Sequence, residues 1–308
     1  MSEQGLLPGT VAKAWSDWYD VETPAGRLRC QPRGRLRLTW QVKERGAKLT
    51  ESERALAAIL VGDEVQVRPR PDGEGAIEAI LPRRTALSRP LVANVDRVLV
   101  VAAWSQPPWN GELVDRLLVL AGAHGCEGWL VLNKVDQPGD PEPRLRLYEA
   151  AGYRVWRVSA VCGDGIAELG AALGEGVSVL AGPSGVGKSR LLGALVPERA
   201  ASIRTGEVSP RLLRGRHTTR HAELLRLPGG GFVADTPGFS RVDLAHISAA
   251  ELGELFPEIA ALAPGCRFRG CLHRGEPGCV VDGAVDAERL RHYRLFLTEV
   301  EAWEAKRY

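Results

Sequence analysis

The chain has 308 residues, of which 44% are hydrophobic, and its 40 basic and 38 acidic side chains leave a formal net charge of +2. This length predicts two or three domains, with enough apolar residues for their cores. We expect a cytoplasmic protein with no membrane partner, because no apolar run approaches the roughly 20 residues that span a bilayer and no signal peptide is evident. The small net charge excludes neither nucleic acid nor protein partners.

The first 85 residues have the alternating pattern of short β-strands separated by turn residues. Five strands spaced about ten residues apart are typical of a small barrel and suit an OB-fold. They cover residues 9–15, 18–23, 27–31, 63–68 and 75–80. Residues 41–58 look like a partly helical insertion, and residues 82–90 are predicted to be a linker.

A basic stretch with aromatic neighbours runs through the third predicted strand. Its arginines, with no acid between them, are Arg27, Arg29, Arg33, Arg35 and Arg37. Together with Trp15, Trp18 and Tyr19, they could follow an RNA backbone and stack bases. The alternative is a solvated strand face with the aromatic rings in the core, and the charges alone leave both open. On the first interpretation, residues 1–85 form an OB-fold RNA-binding domain.

A possible base-reading motif follows a buried-strand pattern at residues 128–132. It consists of Asn133, Lys134, Val135 and Asp136. A carboxylate at Asp136 can accept two hydrogen bonds from the guanine edge, where adenine lacks the matching donors. A buried acceptor left unpaired costs about 1–3 kcal/mol, so Asp136 would favour GTP over ATP. Asn133 would tie the base to the loops. Ser159 and Ala160 are predicted to belong to the same nucleotide site, because of their spacing from this motif and from the phosphate loop downstream.

The strongest single signal is a phosphate-binding loop. It runs through Gly182, Pro183, Ser184, Gly185, Val186, Gly187, Lys188 and Ser189. A β-branched run at 177–180 precedes it and a helix start at 190–195 follows it, which is the context that the motif requires. The glycines let backbone N–H groups turn toward the phosphates, and the helix N-terminus adds a favourable dipole. Lys188 would lie against the β- and γ-phosphates, and the Ser189 hydroxyl would bind Mg²⁺.

Two further motifs complete a nucleotide switch. Asp235-Thr-Pro-Gly238 follows a strand pattern at 231–234. Asp235 would hold Mg²⁺ through water, and the amide of Gly238 would reach the γ-phosphate. Thr218 or Thr219 would complete the Mg²⁺ shell, and we favour Thr219 because paired threonines before an arginine recur in related GTPases.

The residue that positions the attacking water is an open question. Residue 239 is Phe, where Ras-like enzymes place a water-orienting Gln, and Phe cannot position water. Either another group does so, or hydrolysis waits for a partner. His217 is one candidate for that group, and a solvated loop histidine is the alternative. The predicted catalytic residues are Lys188, Thr219, Gly238 and His217.

These motifs occur in a rotated order, since the base-reading motifs precede the phosphate loop. A circular permutation keeps such a site intact when the original termini lie close together. We therefore predict a circularly permuted GTPase domain over residues 91–245. Two rivals remain, an RNA-binding scaffold with a structural nucleotide site and a P-loop ATPase or small-molecule kinase. Asp136 argues against the kinase or ATPase, and the set of Lys188, Ser189 and Asp235 argues against the scaffold.

The C-terminal region, residues 246–308, combines helical signals with a cluster of metal-ligand residues. Ser248 and Glu251 form a capping box that begins a helix, and residues 286–303 have helical apolar spacing. The cluster consists of Cys266, Cys271, His273 and Cys279. It suits a closed tetrahedral zinc site, whereas a disulfide is disfavoured in the cytosol and would leave an odd thiol. The other cysteines, predicted to be buried thiols, are Cys30, Cys126 and Cys162.

The rotated motif order, the N-terminal barrel, the Cys₃His cluster and the phrase Gly-Pro-Ser-Gly-Val-Gly-Lys-Ser resemble the RsgA (YjeQ) family over nearly the whole chain. These are circularly permuted GTPases of small-ribosomal-subunit biogenesis. The resemblance implies a monomeric late assembly factor that binds the 30S subunit and its 16S rRNA, which stimulates hydrolysis of GTP to GDP. It also implies that residues 133–136 and 182–190, and so Arg190, contact GTP. The four metal-ligand residues would hold one structural Zn²⁺, and the 41–58 insertion departs from the family.

The predicted fold class is α/β, with an N-terminal OB-fold β-barrel, a circularly permuted Ras-like P-loop GTPase domain and a C-terminal α-helical zinc-binding domain. We expect GTP with Mg²⁺ to hold the barrel and the zinc domain in an RNA-binding arrangement. Loss of the γ-phosphate releases the switch segments of GTPases, so hydrolysis would release the subunit.

Overall fold

A computed structural model of the chain describes residues 5–15, 18–34, 36, 58–88, 90–198, 222–235 and 242–306. Its residues form two compact units. The first comprises Met1–Asp96, Gly170–Leu180 and Leu195–Ser240, and the second comprises Arg97–Leu169, Ala181–Ala194 and Arg241–Tyr308. The predicted insertion at 41–58 lies outside the described residues except for its last position.

Five strands of the first unit close into a barrel. They are β1 (Leu7–Trp15), β2 (Trp18–Thr23), β3 (Gly26–Pro32), β4 (Glu64–Pro69) and β5 (Gly75–Ile80). Strand β2 pairs antiparallel with β1 and β3, and β4 pairs antiparallel with β5. Strand β3 pairs in parallel with β5, and β1 closes the barrel against β4. The predicted five-stranded, OB-like barrel is therefore confirmed.

Alternation along β2 and β4 places every second side chain in the barrel core. In β2, Tyr19, Val21 and Thr23 are buried, and the residues between them are partly exposed. Tyr19 is only 6% exposed, whereas Trp15 is 49% exposed. Of these two aromatic residues, Tyr19 thus belongs to the core, as the alternative interpretation predicted, and Trp15 presents its ring to solvent.

The segment predicted to be a linker is instead held against the barrel. Strands β6 (Ala86–Ser88) and β7 (Leu91–Ala93) form a short antiparallel hairpin. Just before it, Arg83 Nε donates to Asp63 Oδ1 at 2.6 Å, and Arg83 Nη2 donates to the Ala58 carbonyl at 2.6 Å. Asp63 is fully buried, so this ion pair fixes the chain where it leaves the barrel.

The sheet of the first unit continues beyond the barrel through three more strands. These are β11 (Val177–Ala181), β12 (Glu223–Arg226) and β13 (Phe232–Asp235). Strand β12 pairs antiparallel with β1, through Lys13 and Glu223, and antiparallel with β13. Strand β13 pairs in parallel with β11. The strands predicted before the phosphate loop and before Asp235 are thereby confirmed.

The second unit has parallel strands flanked by helices. Strand β9 (Glu127–Asn133) pairs in parallel with β8 (Val95–Ala102) and with β10 (Arg154–Val158). Residues 129–133 are all buried, which is typical of a parallel strand covered on both faces. Helices in this part of the chain are α1 (Gly111–Ala123), α2 (Glu142–Ala150), α3 (Ile166–Leu173) and α4 (Lys188–Leu195).

Three helices and a 3₁₀ turn form the C-terminal part of the second unit. They are α5 (Ala249–Glu254), α6 (Pro257–Leu262), the turn Ala263–Gly265 and α7 (Ala287–Glu304). The predicted capping box is present, since Ser248 and Glu251 bond each other's backbone. The apolar side of α7, which includes Tyr293, Phe296 and Val300, packs on α5, α6 and α1. Among the described helices, none has the length and apolar character needed to cross a membrane.

A buried polar network joins α1 to α7. Arg289 Nη1 donates to Asp115 Oδ1, and His292 Nδ1 lies 2.7 Å from Asp115 Oδ2. Tyr148 donates its hydroxyl to Asp115 Oδ1 at 2.8 Å, and burial raises the pKa of that hydroxyl. Arg289 also pairs with Glu258 on α6. Charges withdrawn from water in this way need all their partners, so the network fixes how α7 lies against α1.

We expect Arg289→Met to destabilise the protein strongly, because it leaves the fully buried carboxylate of Asp115 without its guanidinium partner. Breaking a buried pair from one side costs about 3–5 kcal/mol. The matched control is Glu127→Ala, which removes the partner of Arg154 from an exposed pair and costs about 0–1 kcal/mol. Thermal unfolding of both variants measures the difference, and equal shifts in midpoint would contradict a structural role for the network.

Candidate functional site

The phosphate loop links strand β11 to helix α4, which begins at Lys188. Its backbone needs three glycines, since Gly182, Gly185 and Gly187 have φ angles of 134°, 84° and 97°. A Cβ atom on Gly182 would lie 2.2 Å from the Val101 carbonyl oxygen. The loop is therefore confined to a glycine-dependent path that presents backbone N–H groups at the start of a helix.

Lys188 folds its side chain back over this loop. Its Nζ donates to the carbonyl oxygens of Gly182, at 2.8 Å, and Pro183, at 2.7 Å. The ammonium group is half-buried, and burial lowers its pKa. A phosphate bound in the loop would provide oxygen acceptors for the same three N–H donors. Ser184, Ser189 and Arg190 are exposed along the loop and the first turn of α4.

Asn133 joins the base-reading motif to the phosphate loop. Its side chain is buried, its Nδ2 donates to the Val186 carbonyl at 2.8 Å, and its Oδ1 accepts the Ala160 N–H at 3.0 Å. A Cβ atom on Gly187 would lie 2.4 Å from Asn133 Nδ2. One amide thus holds three of the predicted segments together.

Lys134 makes a second link that the motif did not predict. It has a positive φ of 66°, which is uncommon for a residue with a side chain. Its Nζ donates to the carbonyl oxygens of Gln106, at 2.6 Å, and Gly185, at 2.8 Å. The sequence marks Lys134 as part of a motif, but its acceptors are backbone groups whose position only the fold determines.

Ser159 orients the carboxylate of Asp136. Its buried hydroxyl donates to Asp136 Oδ1 at 2.6 Å and accepts the N–H of Cys162 at 3.0 Å. Asp136 and Val135 are exposed at the tip of the loop. The arrangement offers an anchored carboxylate to a ligand. Cys162 is also exposed, so the prediction that it is a buried thiol was wrong, whereas Cys30 and Cys126 are buried.

The switch residues are described only in part. Asp235 is the last residue of β13, at the carboxyl end of that strand, and is half-buried. The predicted residues His217, Thr218, Thr219, Gly238 and Phe239 lie outside the described residues. The predicted roles of Thr219 in the Mg²⁺ shell and of His217 toward water remain predictions.

The predicted metal ligands form one cluster. Single donor atoms from Cys266, Cys271, His273 and Cys279 all lie within 4.8 Å of one another. His273 Nδ1 is 3.7 Å from Cys266 Sγ and 3.4 Å from Cys279 Sγ. A tetrahedral zinc ion bound at about 2.3 Å to sulfur and about 2.0 Å to nitrogen requires ligand separations of about 3.5–3.8 Å. The cluster can therefore hold a metal ion of this kind, and its cysteines are free thiols.

Residues between the ligands hold their loop in shape. Glu276 accepts the backbone N–H groups of Leu272 and Arg274 at 3.0 and 2.7 Å. From α7, Tyr293 donates its hydroxyl to the Leu272 carbonyl at 2.9 Å, and Arg294 Nε donates to the His273 carbonyl at 3.0 Å. These supports were not predicted, since their partners are backbone groups.

Burial also sets the protonation of the nitrogen ligand. It lowers the pKa of His273, against the opposing effect of Glu276 and Asp282. The ring is therefore neutral at pH 7, with a lone pair available to a metal.

Comparisons with known proteins cover nearly the whole chain. A family model described as RsgA GTPase matches residues 80–245, and one described as RsgA N-terminal domain matches residues 8–77. The small ribosomal subunit biogenesis GTPase RsgA of Moorella thermoacetica is 46% identical, over 97% of this chain and 99% of that protein. The protein of the same name from Carboxydothermus hydrogenoformans is 42% identical, over 97% and 99%.

Solved structures agree with the sequence comparisons. The crystal structure of YloQ, described as a circularly permuted GTPase, superposes with a TM-score of 0.77 at 31% identity and covers 98% of both chains. That of YjeQ from Thermotoga maritima gives a TM-score of 0.76 at 33% identity and covers 96% of this chain and 99% of that one. With matching relatives along its full length and the rotated motif order in its sequence, the chain belongs to the RsgA family of circularly permuted GTPases.

Proposed function

We propose that this chain hydrolyses GTP to GDP and phosphate in the late assembly of the small ribosomal subunit. The observation that carries the proposal is the joining of the phosphate loop, the 133–136 loop and Ala160 by the side chain of Asn133. The named relatives are small ribosomal subunit biogenesis GTPases, which supports the 30S subunit and its 16S rRNA as partners. A monomer in the cytoplasm, where ribosomes assemble, is part of the same proposal.

GTP binding would divide between the two halves of the site. The guanine edge would meet Asp136, held by Ser159, and the phosphates would lie in the loop 182–190 under Lys188. Ser189, Asp235 and Thr219 would hold Mg²⁺, which neutralises negative charge on the β- and γ-phosphates. In phosphoryl transfer the protein acts chiefly by positioning and electrostatic stabilisation, and the Lys188 ammonium and loop N–H groups supply both.

Attack by water would need a positioned nucleophile. Phe239 has no group that can orient water, so intrinsic hydrolysis is slow, with His217 as the proposed positioning residue and the Gly238 amide near the γ-phosphate. Contact with the 30S subunit would complete the arrangement and accelerate turnover. Loss of the γ-phosphate would then release the switch segments and lower the affinity for the subunit.

Three regions would share this work. Residues 1–85 would bind RNA, residues 91–245 would bind and hydrolyse GTP, and residues 246–308 would add a contact stabilised by one structural Zn²⁺. The zinc proposal is supported by three thiols and an imidazole whose donor atoms all lie within 4.8 Å of one another.

GTP turnover measured with and without purified 30S subunits tests the proposal. We expect slow release of phosphate alone and at least about tenfold acceleration by the subunits, a change of about 1.4 kcal/mol in the barrier. Lys188→Ala should abolish both rates, and Lys306→Ala, at an exposed lysine beyond α7, should leave both intact. Turnover that subunits do not change would refute the ribosomal role, and nucleotide binding without any turnover would favour a scaffold.

Base choice is a separate expectation. Asp136→Asn should shift preference from GTP toward xanthosine triphosphate, because the amide replaces a hydrogen-bond acceptor by a donor. The expected change in relative affinity is about fivefold or more, in line with about 1–3 kcal/mol for a mismatched buried polar group. Competition binding measures it, with Asp164→Asn, at an exposed position, as control. Unaltered discrimination would remove Asp136 from the base site.

Metal analysis tests the Cys₃His cluster. The purified protein should contain about one zinc ion per chain, as a closed four-ligand site requires. Cys271→Ser should lose the metal and lower the unfolding temperature, while Cys162→Ser, at an exposed cysteine outside the cluster, should retain it. Protein without zinc and with its cluster cysteines oxidised to a disulfide would contradict the assignment.

A further inference from the structure

One exposed aromatic ring of the barrel has a cation over its face. Trp15, at the end of β1, is 49% exposed, and Lys13 Nζ lies 4.2 Å from its ring centroid. The indole Nε1 donates to Asp20 Oδ2 at 3.1 Å, which fixes the orientation of the ring. Trp15 pairs across the strands with Trp18, and the guanidinium of Arg29 lies 4.7 Å from the ring centroid of Trp18.

This arrangement fits an unpaired base of a single-stranded nucleic acid. An indole ring stacks on any base, and a nearby cation adds attraction to the π system and to the backbone. The carboxylate of Asp20 lies at the edge of the ring and repels phosphate there. A strand would therefore place its base on Trp15 and its phosphates toward Arg29.

The cation on this ring also contacts strand β12, which pairs with the strand that ends at Asp235. Lys13 Nζ lies 3.0 Å from Glu223 Oε2, and both side chains are mostly buried. Lys13 and Glu223 are paired positions of β1 and β12, and Glu223 is in turn paired with Asp235 of β13. Lys13, Glu223 and Asp235 thus occupy three adjacent strands in one line across the sheet.

A second ion pair supports the same junction. In β2, Glu22 Oε2 lies 3.7 Å from Arg226 Nη1 at the end of β12, and the same carboxylate also binds Arg27. Strand β12 is therefore attached to the barrel through both β1 and β2. Anything that stiffens this face of the barrel also fixes the strand beside Asp235.

We propose that Trp15 is a stacking site for an unpaired RNA base, and that the Lys13–Glu223 ion pair transmits its occupancy to Asp235. A base stacked on Trp15 immobilises the ring over which Lys13 lies, so Lys13 stays on Glu223 and β12 stays on β1. Lys13 and Glu223 are then positioning residues for GTP hydrolysis. The transmission rests on the proposed function, in which RNA of the 30S subunit accelerates turnover.

The stacking site is tested without GTP or ribosomes. The probe is a fluorescently labelled oligouridylate of about ten nucleotides, within the site size of an OB-fold, and its abasic counterpart of equal length. Trp15→Ala should weaken binding of the oligouridylate about five- to 150-fold, as loss of base stacking predicts. Trp303→Ala is the matched control, because Trp303 is also exposed and also lies beside a lysine, Lys306. Equal affinity for both oligomers, or no effect of Trp15→Ala, would overturn the stacking site.

Transmission is tested by the ratio of GTP turnover with 30S subunits to turnover without them. Lys13→Met should lower this ratio about fivefold or more, the lower end of ordinary coupling between sites. Lys13→Arg should retain the ratio, because arginine keeps a positive charge beside Glu223. Glu223→Gln should behave like Lys13→Met, and the double variant should show no further loss if the two residues act as one pair.

The outcomes separate this inference from the proposed function. Wild-type protein that subunits do not stimulate would refute the ribosomal role and the transmission together. A stimulated wild type with an equally stimulated Lys13→Met variant would refute the transmission alone. If Lys13→Met unfolds within a few degrees of the wild-type temperature, a lowered ratio is not caused by unfolding. If instead Lys13→Met is destabilised and has a lowered ratio, while Glu223→Gln keeps the wild-type ratio, the transmission is also refuted.

Discussion

The nucleotide site depends on one buried amide. Asn133 donates to the phosphate loop and accepts from Ala160, so the loops proposed to bind the base and the phosphates share one connection. Both groups that it pairs are backbone groups, which would be costly to leave unpaired in the interior. The same contact explains why residue 187 is glycine, since any side chain there would collide with the Asn133 amide. The connection is made between loops that meet in space, so it does not depend on the order of those loops in the chain.

The C-terminal part depends on a different kind of constraint. Its helices are short, apart from α7, and their apolar side chains pack together with those of α1. The network of Asp115, Arg289 and His292 fixes how α7 lies on α1, because each misplaced partner would leave a buried charge uncompensated. The metal-ligand loop then depends on α7, through Tyr293 and Arg294. The loop that carries Leu272 and His273 is therefore held by α7, whose position the buried network fixes.

Local patterns predicted those parts of the molecule whose cause is local. The barrel strands, the phosphate loop with its flanking strand and helix, and the capping box at Ser248 follow from alternation, glycine placement and cap chemistry within a few residues. Local patterns did not predict that residues 82–90 are attached to the barrel, because the Arg83–Asp63 ion pair joins positions twenty residues apart. The acceptors of Lys134 and the exposure of Cys162 likewise depend on which loops the fold brings together.

The first unit contains a contact between segments that are far apart in the chain. Strand β1 already has its barrel partners in β2 and β4, yet it pairs with β12 at Lys13. That contact joins the N-terminal barrel to β12, the neighbour of the strand that ends at Asp235, through two residues more than 200 positions apart in the chain. Such a pair depends on both segments being in place, since closing so long a chain is entropically unfavourable unless other contacts hold its ends. The ion pairs of Lys13 and Glu22 provide those contacts, so the junction depends on side chains of the barrel and of β12 alike.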